Sequence, residues 1–187
     1  MHTAIFLDRD GVINEEKHLL HKKDDLVLLP GVAEAIKLLN DHNFKVIVIT
    51  NQPVVARGLA TEEDITEIHS HMLELLKVKG AKIDKIYFCP HHPTAGENSL
   101  YTQECGCRKP KPGMILQAAR EFGSMSLTEC YMVGDKISDV KAGHSAGCKT
   151  ILVSTGYGGG DGWDDAVPDY KTDNLLTAVK EIILKKA

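Results

Sequence analysis

The stretch TAIFLDRDGVI at residues 3–13 decides the fold, because an apolar run stops abruptly there at two aspartates separated by one residue. The run 3–7 is typical of a buried parallel strand, and open α/β sheets bind ligands at the carboxyl ends of such strands. Asp8 and Asp10 would repel each other at that end unless a cation lay between them, and Mg²⁺ prefers oxygen ligands of this kind. An aspartate-rich turn is the alternative that this stretch alone leaves open.

The composition favours a single domain, residues 1–187, with a core large enough to fold without staples. The formal net charge of −4 gives no support for binding nucleic acid through bulk positive charge. No apolar run approaches the roughly 20 residues of a membrane span, and the N-terminus lacks the pattern of a signal peptide. We therefore expect a cytoplasmic protein without nucleic-acid or membrane partners. We also expect a monomer, although the sequence does not fix the oligomeric state.

Strand-like and helical patterns alternate along the chain, which predicts an α/β fold with a mainly parallel sheet. Four further strands are expected, at 45–49, 85–89, 131–133 and 150–153. The expected helices are one at about 30–42 with Pro30 in its first turn, one capped by Thr61 and Asp64, one at about 113–122, a short one capped by Ser138, and one at 174–185.

Four segments fit neither helix nor strand: 15–29, 52–60, 90–108 and 156–169. Loops of this length in a compact domain are usually functional or mobile. The first three each follow a strand whose carboxyl end would lie beside Asp8, so we expect them to form the walls of a substrate site. The fourth contains the glycine-rich run 158–162, which we interpret as a flexible loop rather than a phosphate cradle.

Three other strand ends carry polar groups that suit a phosphate or a cation. Residues 50–52, TNQ, offer a hydroxyl and two amides that can bind a phosphate oxygen, although a polar turn would contain the same residues. Residues 108–113, RKPKPG, place three cations just before a helix, where a phosphate site and a solvated basic loop are the alternatives. Residues 131–139 repeat the pattern of residues 3–10, an apolar run followed by acids, and Asp135 there could complete a metal site.

These four pieces follow four strands in order, and together they resemble the motifs of the haloacid dehalogenase-like (HAD) phosphatase superfamily. Asp8-x-Asp10-Gly11 is similar to the first motif, Thr50 to the second and Lys109 to the third, while Gly134-Asp135 with Asp139 is similar to the fourth. The resemblance implies a Rossmann-like three-layer sandwich around the parallel sheet.

The same resemblance implies a reaction through an aspartyl-phosphate. Asp8 would attack phosphorus, and Asp10 would protonate the leaving oxygen and then activate water. Because an ordinary aspartate has a pKa near 3.9, the surroundings of Asp10 must protonate it when substrate is bound. Thr50 and Lys109 would hold the phosphoryl oxygens as charge develops.

The resemblance also implies a Mg²⁺ site and a role for the second acid of the fourth motif. The Asp8 side chain, the Asp10 backbone carbonyl and Asp135 would hold the ion, which would offset repulsion between carboxylate and phosphate. Asp139 would orient Lys109 or a metal-bound water rather than bind the metal directly.

The cysteines predict a second metal site. The chain has five, and an odd number in a reducing compartment argues against a disulfide framework. Three of them fall in the paired spacings Cys89-Pro90-His91-His92 and Cys105-Gly106-Cys107, and three thiols with one imidazole match a closed, structural zinc site. Spacing alone leaves open whether His91 or His92 is the ligand. Free cysteines with surface histidines are the alternative.

With this zinc loop at about 89–107, the chain is similar to the D-glycero-D-manno-heptose 1,7-bisphosphate 7-phosphatases and the related histidinol-phosphate phosphatases. The shared motifs are DRDGVIN, TNQ, ARG, CPHHP and CGCRKP, and the similarity spans about residues 5–154. It implies no large cap domain, His91 as the zinc ligand beside Cys89, Cys105 and Cys107, and substrate contacts from Arg108 and Lys136. We expect further substrate contacts from Glu16, Lys17, His18, Leu19, Asn51 and Gln52.

Two departures from this pattern bear on selectivity. Pro53-Val54 stand where the heptose enzymes often have Ser-Gly, and the first loop lacks the aromatic residue that is common in them. The preferred anomer of the sugar is therefore left open.

We expect a Mg²⁺-dependent phosphomonoesterase whose partner is a small phosphate ester, namely the C7 phosphate of a heptose bisphosphate used in lipopolysaccharide-core or nucleotide-heptose synthesis. The alternative enzyme is a histidinol-phosphate phosphatase of histidine biosynthesis. A bisphosphate needs a second anion pocket, for which Arg108 and Lys136 are candidates, whereas an ammonium group needs acids such as Glu15 or Glu16. The acidic balance disfavours a polynucleotide 3′-phosphatase. A zinc-stabilised binding module is the non-enzyme alternative.

Overall fold

A six-stranded sheet forms the centre of the molecule in the computed structural model, which describes residues 3–123, 125–163 and 165–186. Its strands are β1 (Ala4–Leu7), β2 (Lys45–Asn51), β3 (Lys85–Cys89), β4 (Tyr131–Gly134), β5 (Lys149–Val153) and β6 (Tyr170–Thr172). The spatial order is β3-β2-β1-β4-β5-β6, and every pairing is parallel. The chain moves from β1 to one side of the sheet and later to the other, so β1 lies at the switch point where open α/β sheets bind ligands.

The first five strands confirm the predicted α/β fold, and β6 is an addition. β6 has three residues, none of them fully buried, and it pairs only with β5 at the sheet edge among the described residues. A short edge strand needs no apolar run, which is why the sequence pattern gave no signal for it.

Helices lie between or after the strands where the sequence predicted them. They are α1 (Val32–Asp41), α2 (Glu62–Val78), α3 (Gly113–Phe122), α4 (Ile137–Ala146), α5 (Leu175–Thr177) and α6 (Leu184–Lys186), with a π-helical segment (Ala178–Ile183) joining the last two. Two 3₁₀ turns are also present, Lys23–Asp25 and Leu127–Glu129. None of the helices in the described part of the chain is both long and apolar enough to cross a membrane.

The sheet separates two apolar cores, so the molecule has the expected three layers. Ile5 and Leu7 of β1 pack with buried residues of α1 and α2 on one face. Ala4 and Phe6 point to the opposite face, where they join Met114 and other residues of α3 and α4. Each large apolar side chain contributes about 1.5–3 kcal/mol when fully buried. Because its side chains alternate between two buried faces, β1 and the aspartates that follow it are held in the middle of the sheet.

The helix starts agree with the sequence at α2 and differ at α1 and α4. The Thr61 hydroxyl accepts from the Asp64 N–H, and Asp64 accepts from the Thr61 N–H, as predicted. Pro30 precedes α1 rather than forming its first turn, because left-handed Gly31 (φ 76°) is the N-cap. Ser138 is likewise not the cap of α4: that helix begins one residue earlier, and its first N–H groups are satisfied by a carboxylate distant in sequence, Asp161.

Candidate active site

The carboxyl ends of β1, β2 and β4 bring the predicted reacting groups to one edge of the sheet. Asp8 follows β1, Thr50 lies near the end of β2, and Asp135 follows β4. The first two border a cavity of about 560 Å³, whereas Asp135 lies behind its wall with no exposed surface. The predicted residues that line the cavity are Asp8, Asp10, His18, Thr50, Asn51, Gln52, Cys105, Arg108, Lys109, Lys136 and Asp139.

Lys109 is the buried cation at the centre of this edge. Its Nζ lies 2.9 Å from Asp8 Oδ1 and 2.6 Å from Asp139 Oδ1, and it donates to the Ile49 carbonyl at 3.0 Å. Burial alone would lower the pKa of Lys109, but the two carboxylates outweigh burial and raise it. The Asn51 side chain fixes the lysine backbone by donating to its carbonyl and accepting from its N–H, both at 3.0 Å. Asn51, predicted as a substrate contact, therefore also holds Lys109 in place.

Asp135 is a buried acid that forms no ion pair among the described residues. Its Oδ2 accepts from the Tyr157 N–H at 2.8 Å, whereas its Oδ1 has no hydrogen-bond partner among the described residues. Burial, followed by repulsion from Asp8 and Asp139, raises the pKa of Asp135 to about 8. A Cβ on Gly11 (φ 81°) would lie 2.3 Å from Asp135 Oδ2, so only glycine permits this close approach of the two strand ends.

The three carboxylates fit a hard divalent cation. One oxygen each from Asp8, Asp135 and Asp139 lies within 4.8 Å of the others. Lys109 already pairs with two of these acids, Asp8 and Asp139, and the orphaned oxygen of Asp135 is the ligand that remains free for an ion. Mg²⁺ prefers oxygen ligands, and its charge would relieve the repulsion between neighbouring carboxylates.

Asp10 is held as a carboxylate by three donors. The Arg9 Nη2 lies 2.8 Å from both of its oxygens, Asn14 Nδ2 donates to Oδ1 at 2.9 Å, and Gln52 Nε2 donates to Oδ2 at 2.9 Å. Burial raises the pKa of Asp10, but Arg9 and these hydrogen bonds together lower it by more, so the net shift is downward. The mechanism expected from sequence needs surroundings that protonate Asp10 in the substrate complex. In the free site they do the opposite.

Arg9 and His69 form a buried polar contact that the sequence analysis missed. Arg9 has no exposed surface, and its Nη1 lies 3.3 Å from His69 Nε2. Burial and the neighbouring guanidinium lower the pKa of His69 to about 3, so the imidazole is neutral near pH 7. A signal was available, because His69 lies on the apolar face of α2 between Ile68 and Met72. A histidine on such a face needs a buried polar partner.

The first loop contributes fewer cavity contacts than predicted. His18 lines the cavity, but Glu16, Lys17 and Leu19 do not. Glu16 forms an ion pair with Lys136 at 3.0 Å, and exposed Lys17 pairs with Glu15 at 3.1 Å. Leu19 packs against the apolar core instead.

Cys89, His91, Cys105 and Cys107 come together at the mouth of the cavity. Their Sγ atoms are 3.0–3.5 Å apart, and His91 Nδ1 lies 3.7 Å from Cys89 Sγ and 3.6 Å from Cys107 Sγ. These separations exceed the S–S bond of a disulfide, which is about 2.05 Å. A tetrahedral zinc site requires about 3.8 Å between sulfurs and about 3.6 Å between sulfur and nitrogen. The cluster therefore has the dimensions of a Cys₃His metal site rather than of a disulfide.

His91, not His92, is the imidazole that joins this cluster. His92 Nδ1 accepts from the backbone N–H groups of Thr94 and Ala95, which turns it toward its own loop. The cluster also reaches the cavity rim, because Arg108 follows Cys107 directly and its Nη1 donates to the His91 carbonyl at 3.0 Å. A metal held by the four ligands would therefore fix the backbone that carries Arg108 and Lys109.

Known proteins are similar to this chain in sequence. The HAD-hydrolase-like family model matches residues 106–180. A D-glycero-beta-D-manno-heptose-1,7-bisphosphate 7-phosphatase of Yersinia pestis is 42% identical over 154 residues, which cover 82% of this chain and 81% of that protein. A D-glycero-D-manno-heptose-1,7-bisphosphate 7-phosphatase of Thermosynechococcus vestitus is 38% identical over 186 residues, covering 96% and 94% of the two chains.

A solved structure agrees with the whole fold. The crystal structure of D,D-heptose 1,7-bisphosphate phosphatase from B. bronchiseptica, complexed with magnesium and phosphate, matches with a TM-score of 0.84 and 33% identity. The match covers 99% of each chain.

Proposed function

Because this chain belongs to the D-glycero-D-manno-heptose-1,7-bisphosphate 7-phosphatase family of HAD-like hydrolases, we propose that it hydrolyses the C7 phosphate of D-glycero-D-manno-heptose 1,7-bisphosphate. The observation that carries the proposal is the buried set at the strand ends. Lys109 pairs with Asp8 at 2.9 Å beside Asp135, a buried acid whose Oδ1 has no hydrogen-bond partner among the described residues. A nucleophile next to a set of cation ligands is what in-line phosphoryl transfer needs.

Asp8 is the nucleophile in this proposal. A carboxylate oxygen of Asp8 forms a bond to phosphorus while the bond from phosphorus to the C7 oxygen breaks, which gives an aspartyl-phosphate. The departing oxygen takes a proton from Asp10. Water then attacks the aspartyl-phosphate, gives a proton back to Asp10 and releases inorganic phosphate, so Asp8 is regenerated.

Thr50 and Lys109 stabilise the phosphoryl group during both steps. Lys109 Nζ already touches Asp8, so it lies beside the oxygens on which negative charge develops. Thr50 is only 1% exposed, and its hydroxyl accepts from Gln52 Nε2, which leaves its own proton for a phosphoryl oxygen. Mg²⁺, held by the Asp8 side chain, the Asp10 backbone carbonyl and Asp135, would offset repulsion between the carboxylate and the phosphate.

Zinc has a structural role in this proposal. Cys89, His91, Cys105 and Cys107 supply four ligands, which leaves no position open for catalysis. The bound ion would stiffen a loop of about 89–107 that otherwise lacks a regular element. Its effect on the reaction is indirect, through the position of Arg108.

The charges around the cavity favour a bisphosphate over histidinol phosphate. Arg108 and Lys136 both line the cavity and offer positive charge to a second phosphate. Glu15 and Glu16, the acids expected to suit an ammonium group, do not line the cavity, and they pair with Lys17 and Lys136 respectively.

Phosphate release from both heptose 1,7-bisphosphate anomers and from histidinol phosphate tests this proposal, with ³¹P NMR showing which phosphate leaves. We expect the bisphosphate to have the highest kcat/KM and to lose its C7 phosphate. A higher kcat/KM for histidinol phosphate, or loss of the C1 phosphate, would show that the proposed substrate is wrong. Asp8→Asn is the control for the chemistry, because it keeps the size of the side chain and removes the nucleophile.

A further inference from the structure

The glycine-rich segment after β5, interpreted from sequence as a flexible loop, is hydrogen-bonded to the edge of the sheet that carries the candidate site. The Tyr157 N–H donates to Asp135 Oδ2 at 2.8 Å, and the Gly159 N–H donates to the Asp135 carbonyl at 2.7 Å. Asp161 then accepts from the first N–H groups of α4 at 2.9 and 3.1 Å. The segment is therefore positioned by the same acid that would bind the cation.

Tyr157 projects from this segment onto His18 of the first loop. Its hydroxyl lies 2.8 Å from His18 Nδ1, and the two rings meet edge to face with centroids 5.9 Å apart. His18 has a left-handed backbone (φ 56°), which costs energy for any residue with a Cβ. Strain of this kind persists only where surrounding contacts impose it, and it is concentrated at functional sites.

Tyr157 also holds Lys136, the second cavity-lining group on this side. Lys136 Nζ lies 4.4 Å from the centroid of the Tyr157 ring, in cation–π range, and 3.0 Å from Glu16. His18 and Lys136 both line the cavity, whereas Tyr157 stands behind them. One half-buried side chain thus contacts two groups that line the cavity, His18 and Lys136.

We propose that Tyr157 is a positioning residue that sets substrate selection, by holding His18 and Lys136 toward the anionic end of the substrate that does not react. This inference rests on the proposed function. The contact with Tyr157 uses His18 Nδ1, so Nε2 is the ring nitrogen that a phosphate or sugar hydroxyl can use. Lys136 supplies positive charge to the same end. A small ester without a second anionic end would not contact His18 and Lys136 in this way.

The test compares heptose 1,7-bisphosphate with p-nitrophenyl phosphate in wild type, Tyr157→Phe, His18→Gly and the double variant. Tyr157→Phe keeps the ring over Lys136 and removes the hydroxyl, so we expect KM for the bisphosphate to rise about three- to tenfold, with kcat changed less than about twofold. The ratio of the two kcat/KM values falls by the same factor. Glycine adopts the left-handed backbone without strain, so His18→Gly removes the contact without removing the backbone conformation. In the His18→Gly background, Tyr157→Phe should have no further effect.

Tyr170→Phe is the matched control, because its hydroxyl contacts Lys186 at the far edge of the sheet. It should leave kcat and KM for both substrates unchanged. If wild type prefers the bisphosphate and Tyr157→Phe preserves that preference, or if the two substitutions act additively, the inference is overturned while the proposed function stands. If wild type does not prefer the bisphosphate over p-nitrophenyl phosphate, the proposed function fails and the inference fails with it.

Discussion

Replacing Asp135 with asparagine should stabilise the magnesium-free protein in a pH-dependent way. The carboxyl of Asp135 is fully buried and faces Asp8 and Asp139, and its pKa is raised to about 8 from an ordinary value of 3.8. Between those two values the folded protein holds a proton that the unfolded chain has lost. Stability from this group is therefore full below about pH 3.8 and is lost as pH rises toward 8. The amide that replaces the carboxyl in Asp135→Asn does not titrate, so the variant lacks this loss.

The magnitude follows from linkage. Each pKa unit corresponds to about 1.36 kcal/mol, so from pH 5 to pH 7 wild type should lose about 2.6 kcal/mol relative to Asp135→Asn. The assay is urea unfolding of both proteins at pH 5, 6 and 7, with magnesium removed by desalting and zinc kept in the buffer. Adding Mg²⁺ should restore stability to wild type, because the ion binds only the folded, ionised site, and should have a smaller effect on the variant.

Two results would refute this reasoning. A constant difference in unfolding free energy between the two proteins from pH 5 to pH 7 would mean that Asp135 is ionised throughout and already has a counter-charge. Equal stabilisation of both proteins by Mg²⁺ would mean that the ion binds elsewhere. Loss of phosphatase activity in the variant would not decide between these outcomes, which is why stability is the measurement.

The other predictions concern the proposed nucleophile, the zinc loop and the buried contact between Arg9 and His69. Asp8→Asn should lower kcat on the order of 10³-fold or more, measured as phosphate release; turnover close to wild type would exclude an aspartyl-phosphate at Asp8. Cys107→Ser should lose bound zinc, measured by elemental analysis, and should lower Tm, whereas Cys148→Ala outside the cluster should keep its zinc. His69→Gln should weaken the acid sensitivity of the fold. Because the pKa of His69 is lowered to about 3, wild type should lose about 1.2 kcal/mol relative to the variant from pH 6 to pH 5, and parallel stability curves would contradict this.

The sequence predicted the reacting edge of the sheet because parallel strands share one direction. Each apolar run ends at a polar motif, and the register of β1 with β2 and β4 then brings Asp8, Thr50 and Asp135 together whatever the loops do. The Cys/His cluster was predictable for a related reason. Short spacings such as Cys105-Gly106-Cys107 keep two thiols within reach of one ion by local geometry alone.

What the sequence could not predict depends on contacts between distant segments. Asp161 caps α4 from 24 residues away, and Tyr157 meets His18 from 139 residues away. No local pattern encodes either contact. Arg9 was overlooked for a different reason, since an arginine between two aspartates is also what a solvated turn would contain. Only burial, which depends on α2 and its His69, distinguishes the two cases.

The Arg9 contact reconciles the two roles that Asp10 needs. Arg9, Asn14 and Gln52 all stabilise the carboxylate, so Asp10 is a base in the free site. A phosphate monoester brings between one and two negative charges near pH 7, and a like charge nearby raises the pKa of a carboxyl group. Gln52 Nε2 donates to both Asp10 and Thr50, so an oxygen that draws Thr50 away also disturbs a donor of Asp10. In the proposed mechanism, this added charge lets Asp10 take up a proton when substrate is bound and revert to a base once the leaving group has gone. Proton donation is in this way tied to the presence of the substrate that needs it.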